Sequence, residues 1–200
     1  NLTLQQPNWS QDGNSDLLTA QAREAILTRA GKTTSSQFEL CYDMKRDGWS
    51  TTTFHTKCDG KGPLLMFLRR KNSDRYFGGY NYIGSQGGCG YASGGIAGDV
   101  QPGQPAITRG WLYRVLDATP TTVDFAFQKS TSNMFYQCNS YFLTWGGGHD
   151  FYCGATSCYC NLGSSYQTAE STNPENEWCT GIYSFSVSPT VPTNAFDVSC

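Results

Sequence analysis

Two histidines, His55 and His149, are the only imidazoles in the 200-residue chain. General acid–base chemistry near neutral pH wants such a group within reach of a partner. His149 is followed directly by Asp150. Adjacent residues of a strand project to opposite faces, so an extended backbone here would not assemble a nucleophile, a base and an orienting acid. No G-x-S-x-G elbow is present. His149 and Asp150, with carbonyls from Gly146–Gly148, are the weak candidates for a cation. Glycine runs chiefly supply positive-φ turn geometry, and that reading is preferred. Asp12, Asn14 and Asp16 alternate oxygens as a calcium loop does, but Leu17 and Arg23 stand where glycine and a bidentate glutamate are required. Gly78-Gly79 and Gly146–Gly148 lack the Lys-Ser/Thr of a phosphate-binding loop. No catalytic residue and no metal site is assigned, and the chain reads as a non-enzyme.

Nine cysteines are the stronger signal: Cys41, Cys58, Cys89, Cys138, Cys153, Cys158, Cys160, Cys179 and Cys200. The spacing of Cys153, Cys158 and Cys160 is not that of paired zinc ligands. Thiol–disulfide exchange at Cys158-Tyr159-Cys160 needs a low-pKa thiol, and no basic residue lies nearby in sequence. Such density predicts a disulfide framework in an oxidising compartment. An odd count leaves one cysteine over. Cys200 and Cys89 are the candidates, and either makes a disulfide-linked homodimer an expectation. Asn1-Leu2-Thr3 and Asn8-Trp9-Ser10 are glycosylation sequons, with Asn1 and Asn8 as acceptors. The chain has no apolar run of about 18 residues. The expectation is a secreted, mature chain with its leader removed and no membrane span.

The net charge is −2, from 14 basic and 16 acidic residues, and no concentrated basic face marks a nucleic-acid binder. Lys57, Lys61, Arg69, Arg70, Lys71 and Arg75 form the one basic cluster, interrupted by Asp59 and Asp74. It reads as a solvated hairpin tip. Aromatic residues make up 14% of the chain against 15% charged, a balance that predicts a buried core. Twelve tyrosines and five tryptophans exceed what such a core must use. The Tyr/Gly/Ser-rich stretches 80–91 and 157–166 are expected to be exposed loops of the adaptable recognition kind. Tyr80, Tyr82, Tyr91, Tyr159 and Tyr166 are therefore the candidate ligand-binding residues.

The elements that would position these groups follow from pattern. Thr19 is a good N-cap, Ala22, Ala25, Ile26 and Arg29 share a helical face, and Gly31 sits where a capping glycine belongs, which predicts a helix over 20–29. Phe38, Leu40 and Tyr42 alternate in a strand over 36–42. Asp47-Gly48 makes a turn, and 49–57 a short helix. Strands 64–70 and 76–82 form a hairpin, with Gly78-Gly79 marking a bulge or a close backbone approach. Residues 84–110 read as a long glycine-rich loop. Further strands are expected at 111–116, 123–127, within 133–142, after the 146–150 glycine run, and at 195–198.

Several of these stretches resemble one family. Asp47-Gly48-Trp49-Ser50, then F-H-x-K-C-DGKGP over 54–63, then F-GG-Y over 77–80, are similar in order and spacing to the core of the TLDc domain of eukaryotic oxidation-resistance proteins. Gly146 to Asp150 and Asn161 to Tyr166 continue the likeness, which covers about residues 17–200. The chain departs from the pattern over 84–110, where an insertion with Cys89 replaces an expected tryptophan. The resemblance implies a mainly β fold: a β-sandwich of two antiparallel sheets with an N-terminal helix and short edge helices, here stapled by disulfides. It implies a polar segment 1–16 followed by a single domain 17–200. Intracellular relatives protect against oxidants and are linked to the vacuolar proton pump, a cytosol-facing role. For this chain the expectation is a secreted binding module for a glycan or protein ligand. The alternatives are a carrier of an apolar or coloured small molecule, with a bound organic ligand as its only cofactor, and an extracellular oxidant-protection protein.

Overall fold

The computed structural model describes residues 19–33, 36, 39–69, 75–92, 110–116, 122–129, 132–168, 179, 184–186 and 195–199. Asn1, Asn8, the Asp12–Asp16 run, Phe38, residues 93–109 and Cys200 lie outside them.

Helix α1 (Ala20–Arg29) starts where the Thr19 hydroxyl accepts from the Ala22 N–H at 3.2 Å. It ends on Gly31, at φ +67°. There the Lys32 N–H reaches the Leu27 carbonyl at 2.8 Å and the Gly31 N–H reaches Thr28 at 3.0 Å, the paired bonds that close a helix through a left-handed glycine. Strand β1 (Leu40–Asp43) leads into one turn of helix, α2 (Met44–Asp47). The Tyr42 hydroxyl donates to the Gly48 carbonyl and accepts from the Ser50 N–H, fixing the Asp47-Gly48 turn. Helix α3 (Thr51–Cys58) begins two residues later than Trp49 because Ser50 is its cap, accepting from Thr53 N–H at 3.2 Å.

The strands that follow are β2 (Leu64–Arg69), β3 (Arg75–Asn81), β4 (Cys89–Ala92), β5 (Gly110–Leu116), β6 (Thr122–Gln128), β7 (Phe135–Cys138) and β8 (Tyr141–Trp145). They continue with β9 (Phe151–Gly154), β10 (Ser157–Cys160), β11 (Tyr166–Thr168), β12 (Ser184–Ser186) and β13 (Ala195–Ser199). They make two antiparallel sheets: a seven-stranded one ordered β1-β13-β2-β3-β5-β6-β11, and a six-stranded one ordered β12-β10-β9-β8-β7-β4. The fold is the expected β-sandwich.

The interior lies between the sheets, with Met66, Phe77 and Leu112 from one and Phe135, Phe142, Trp145 and Phe151 from the other. A second core lies on the far side of the large sheet, where α1 lays Ala22 and Ile26 over Leu65, Phe67, Tyr80, Trp111 and Tyr113. Strand β2 is thus buried on both faces, which explains its unbroken apolar run.

Three expectations change and a fourth is resolved. The Gly78-Gly79 pair is not a bulge, because β2–β3 and β3–β5 run in unbroken register through it. Backbone does come close, as the alternative expectation had it: a Cβ on Gly78 would lie 1.9 Å from the Met66 carbonyl oxygen, and side chains crowd the pair as well. A Cβ on Gly78 would lie 2.4 Å from the Tyr113 hydroxyl oxygen, and one on Gly79 2.6 Å from the Trp145 ring. Residues 84–110 are not one loop, because β4 forms within them. Cys89 is not free. It stands opposite Cys138 in the β4–β7 ladder and is bonded to it. Nor is 157–166 a loop, since it holds β10 and the start of β11.

The other disulfides are Cys41–Cys58, joining β1 to α3, Cys153–Cys158 across β9–β10, and Cys160–Cys179. Cys158 and Cys160 do not pair with each other: two residues apart on an extended strand, they are separated by about 7 Å. The four pairs use eight of nine cysteines, and the ninth is Cys200. No described helix is long and apolar enough to cross a membrane.

Candidate functional site

The small sheet is built from strands that alternate phenylalanine or cysteine with tyrosine. Phe135-Tyr136, Tyr141-Phe142, Phe151-Tyr152-Cys153 and Cys158-Tyr159-Cys160 each bury the first type and leave the tyrosine half-buried. Successive side chains point to opposite faces, so the phenylalanines and cysteines enter the interior and the tyrosines line up outside. Strand pairing then sets the rings side by side. Tyr91 faces Tyr136 in the β4–β7 register, and Tyr152 faces Tyr159 in β9–β10.

The result is a continuous row. Ring centroids are 4.9 Å apart for Tyr91–Tyr136, 5.9 Å for Tyr136–Tyr141, 5.3 Å for Tyr141–Tyr152 and 5.8 Å for Tyr152–Tyr159. Neighbouring rings are tilted by 43–70°, so the row is corrugated rather than flat. Tilted packing of this kind, edge-to-face between Tyr141 and Tyr152, holds each ring against the next. Among the described residues the hydroxyls of Tyr136, Tyr141 and Tyr152 meet no hydrogen-bond partner. The Tyr91 hydroxyl donates to the Gly147 carbonyl at 2.8 Å.

His149 sits at the centre of the row, 5.0 Å from Tyr136, 5.5 Å from Tyr141 and 5.3 Å from Tyr152. It lies in the turn before β9 with φ +57°, in keeping with the positive-φ turn expected of this glycine run. Asp150 fixes that turn from beneath. Its carboxylate accepts from Ser164 N–H at 2.8 Å and Ser165 N–H at 2.9 Å. The approach requires Gly146, since a Cβ there would lie 1.7 Å from Asp150 Oδ2. Burial raises the Asp150 carboxyl above its ordinary value, against the lowering effect of these N–H groups. Burial among the tyrosines lowers His149, with the Asp150 charge opposing it. His149 Nε2 is buried without a hydrogen-bond partner among the described residues. The two candidate cation ligands thus serve different surroundings, and no three His, Cys, Asp or Glu side chains converge among the described residues.

The structure sorts the five candidate tyrosines. Tyr91 and Tyr159 stand at the two ends of the row. Tyr82 is exposed in the turn after β3, which Asn81 closes by accepting from the Ile83 and Gly84 N–H groups. Tyr80 is buried, stacked on Trp111 at 5.3 Å under α1, and Tyr166 is fully buried with its hydroxyl on the Met134 carbonyl at 3.1 Å. Neither offers a surface to a ligand, because each fills a core. Tyr136, Tyr141 and Tyr152, the middle of the row, escaped the sequence reading. Their alternation with Phe and Cys was the available signal.

His55 does a different job. Its Nδ1 lies 2.8 Å from Asp59 Oδ1, and its Nε2 lies 2.9 Å and 3.1 Å from the Tyr141 and Cys138 carbonyls. It ties α3 to the β7–β8 turn, so it positions the middle of the row from behind.

Residues 11–93 match the family model of the TLDc domain. The matched span runs from before α1 to just past β4, and of the row it includes Tyr91 alone. No curated protein sequence matches the chain.

Proposed function

We propose that this TLDc-like chain is a non-enzymatic recognition module that binds a glycan or protein ligand through the outer face of its small sheet. One observation carries the reading: five tyrosines, half-buried or exposed, form an unbroken row across five strands, and three of their hydroxyls meet no hydrogen-bond partner among the described residues. Rings that present both apolar surface and a polar tip are the usual currency of recognition surfaces. Four disulfides favour an extracellular setting, since such pairs persist in oxidising compartments. Asn1 and Asn8 would then carry glycans, and Cys200 remains for an intermolecular bond.

The carrier alternative has less support, because large aromatics from both sheets fill the sandwich interior. Oxidant protection would rest on Cys200, the one cysteine outside the four pairs. The test is a Tyr136→Ala/Tyr152→Ala variant against the native chain on arrays of glycans and of extracellular proteins. Loss of a bound ligand by tenfold or more supports the reading. Ligands that bind equally to both proteins would sink it. Mass that leaves the native protein on denaturation would support the carrier instead.

A further inference from the structure

We propose that the ligand of the tyrosine row is a single uncharged polysaccharide chain, lying across the strands from Tyr159 to Tyr91. The proposal rests on the recognition reading and narrows it to one chemical class.

Charge is the first argument. The six strands of the small sheet, CGYA, FYQC, YFLTW, FYCG, SCYC and SFS, contain no Asp, Glu, Lys or Arg. Asp150, the nearest acid to the row in sequence, is buried and taken up by backbone N–H groups. A sulfated or uronic-acid polymer laid on this face would lose water from its charges and meet no cation on these strands in return. A neutral chain suffers no such loss.

Shape is the second. From β4 to β10 the row crosses four interstrand steps, about 19 Å at the usual strand spacing. That is a strip for an extended polymer, not a pocket for one small molecule. The alternating tilts suit a chain that twists from one sugar to the next. A flat crystalline surface would touch only the ring edges.

Chemistry is the third. Sugar rings pair a C–H face with a rim of hydroxyls. Tyr136, Tyr141 and Tyr152 each offer the matching pair, an aromatic face and a phenolic oxygen without a partner among the described residues, while the His149 ring packs against all three. A protein ligand is less well matched, because the row lacks tryptophan, methionine and arginine, which anchor protein interfaces beside tyrosine.

The experiment uses the full chain. Binding is measured by calorimetry against soluble β-glucan, xylan and galactomannan, and against polygalacturonate and heparin, at low and high salt. At least one neutral polymer is expected to bind, with affinity unchanged by salt. Tyr136→Ala and Tyr152→Ala should each weaken it tenfold or more, and Tyr82→Ala, off the row, should not. Tyr136→Phe and Tyr152→Phe keep the rings and should lose less than the alanine variants. They also guard against an alanine variant that fails to fold. Preference for the acidic polymers, no neutral polymer bound, or neutral binding indifferent to Tyr136 and Tyr152 overturns the proposal. A protein or acidic ligand lost on the same substitutions would overturn it while leaving the recognition reading intact. If no ligand of any class depends on these tyrosines, both fail.

Discussion

On the far side of the large sheet, Tyr80 stacks on its cross-strand partner Trp111, and Phe125 packs edge-on at 5.4 Å. On the far side of the small sheet, tyrosines and His149 pack in much the same way. The first row lies under α1, with the Arg29 guanidinium 4.0 Å above the Phe127 ring. Among the described residues no helix lies over the second. The hydroxyls record the difference. Under α1, Tyr113 must satisfy its hydroxyl inside the protein and reaches over Gly78 to the Met66 carbonyl at 2.9 Å. On the small sheet Tyr136, Tyr141 and Tyr152 do not. The covered row meets part of its polar demand internally, although Trp111 Nε1 is buried there without a partner among the described residues, while the three small-sheet hydroxyls stand at a half-exposed face.

The sharpest way to break this comparison is to truncate one ring from each row. Trp111→Ala should cost about 3–5 kcal/mol in urea unfolding, the range for a large buried aromatic. Tyr152→Ala should cost about 1–2 kcal/mol, from lost ring–ring contacts on a half-solvated face. Equal losses would mean that the small-sheet row is core after all.

Next in size is the edge strand. Cys89 is the one exposed member of the four disulfides, and β4 is the edge of its sheet. Cys89→Ala/Cys138→Ala should destabilise by about 2–4 kcal/mol. Under a thiol reductant this pair should be alkylated first, read by peptide mass mapping. Earlier opening of a buried pair would remove β4 as the weak margin of the row.

Asp150→Asn comes third. An amide keeps one acceptor oxygen where the carboxylate uses two, so a Ser164 or Ser165 N–H is left facing a donor. The expected loss is about 1–3 kcal/mol. Hydrogen exchange should locate it in residues 146–150 and 163–166.

The smallest effect is on pH. His149 titrates below the ordinary imidazole value of 6.5 when folded. Between that value and 6.5 the unfolded chain binds the extra proton, so stability should decline as pH falls below 6.5. His149→Gln should flatten that part of the profile, and a variant that leaves it unchanged would place the titration elsewhere.

Much of the fold was legible because local chemistry and global packing agree. Thr19 and Gly31 bound α1 as their types demand, and the apolar run 64–68 is a strand buried on both sides. The site was harder to see. Composition pointed to tyrosines near glycine and serine, yet exposure depends on which face another element covers, and α1 comes from more than fifty residues before Tyr80. Tyr80 and Tyr91 have similar neighbours in sequence and end in a core and on a surface. Tyr136, Tyr141 and Tyr152 sit in β-prone segments that read as core, and only the strand order shows their rings in line. For Cys89, a glycine-rich context suggested a loop, but pairing with β7 made it a strand.

The uncharged face has a consequence in time as well as affinity. Strands without fixed charges add no local field to draw a ligand in from solution, so encounters depend mainly on diffusion and orientation. Association should then fall in the unsteered range, about 10⁵–10⁶ M⁻¹s⁻¹, and vary little with ionic strength. Selectivity would be exercised after contact, in how long each partner stays, and a long polymer, sliding from ring to ring before it leaves, would stay longest.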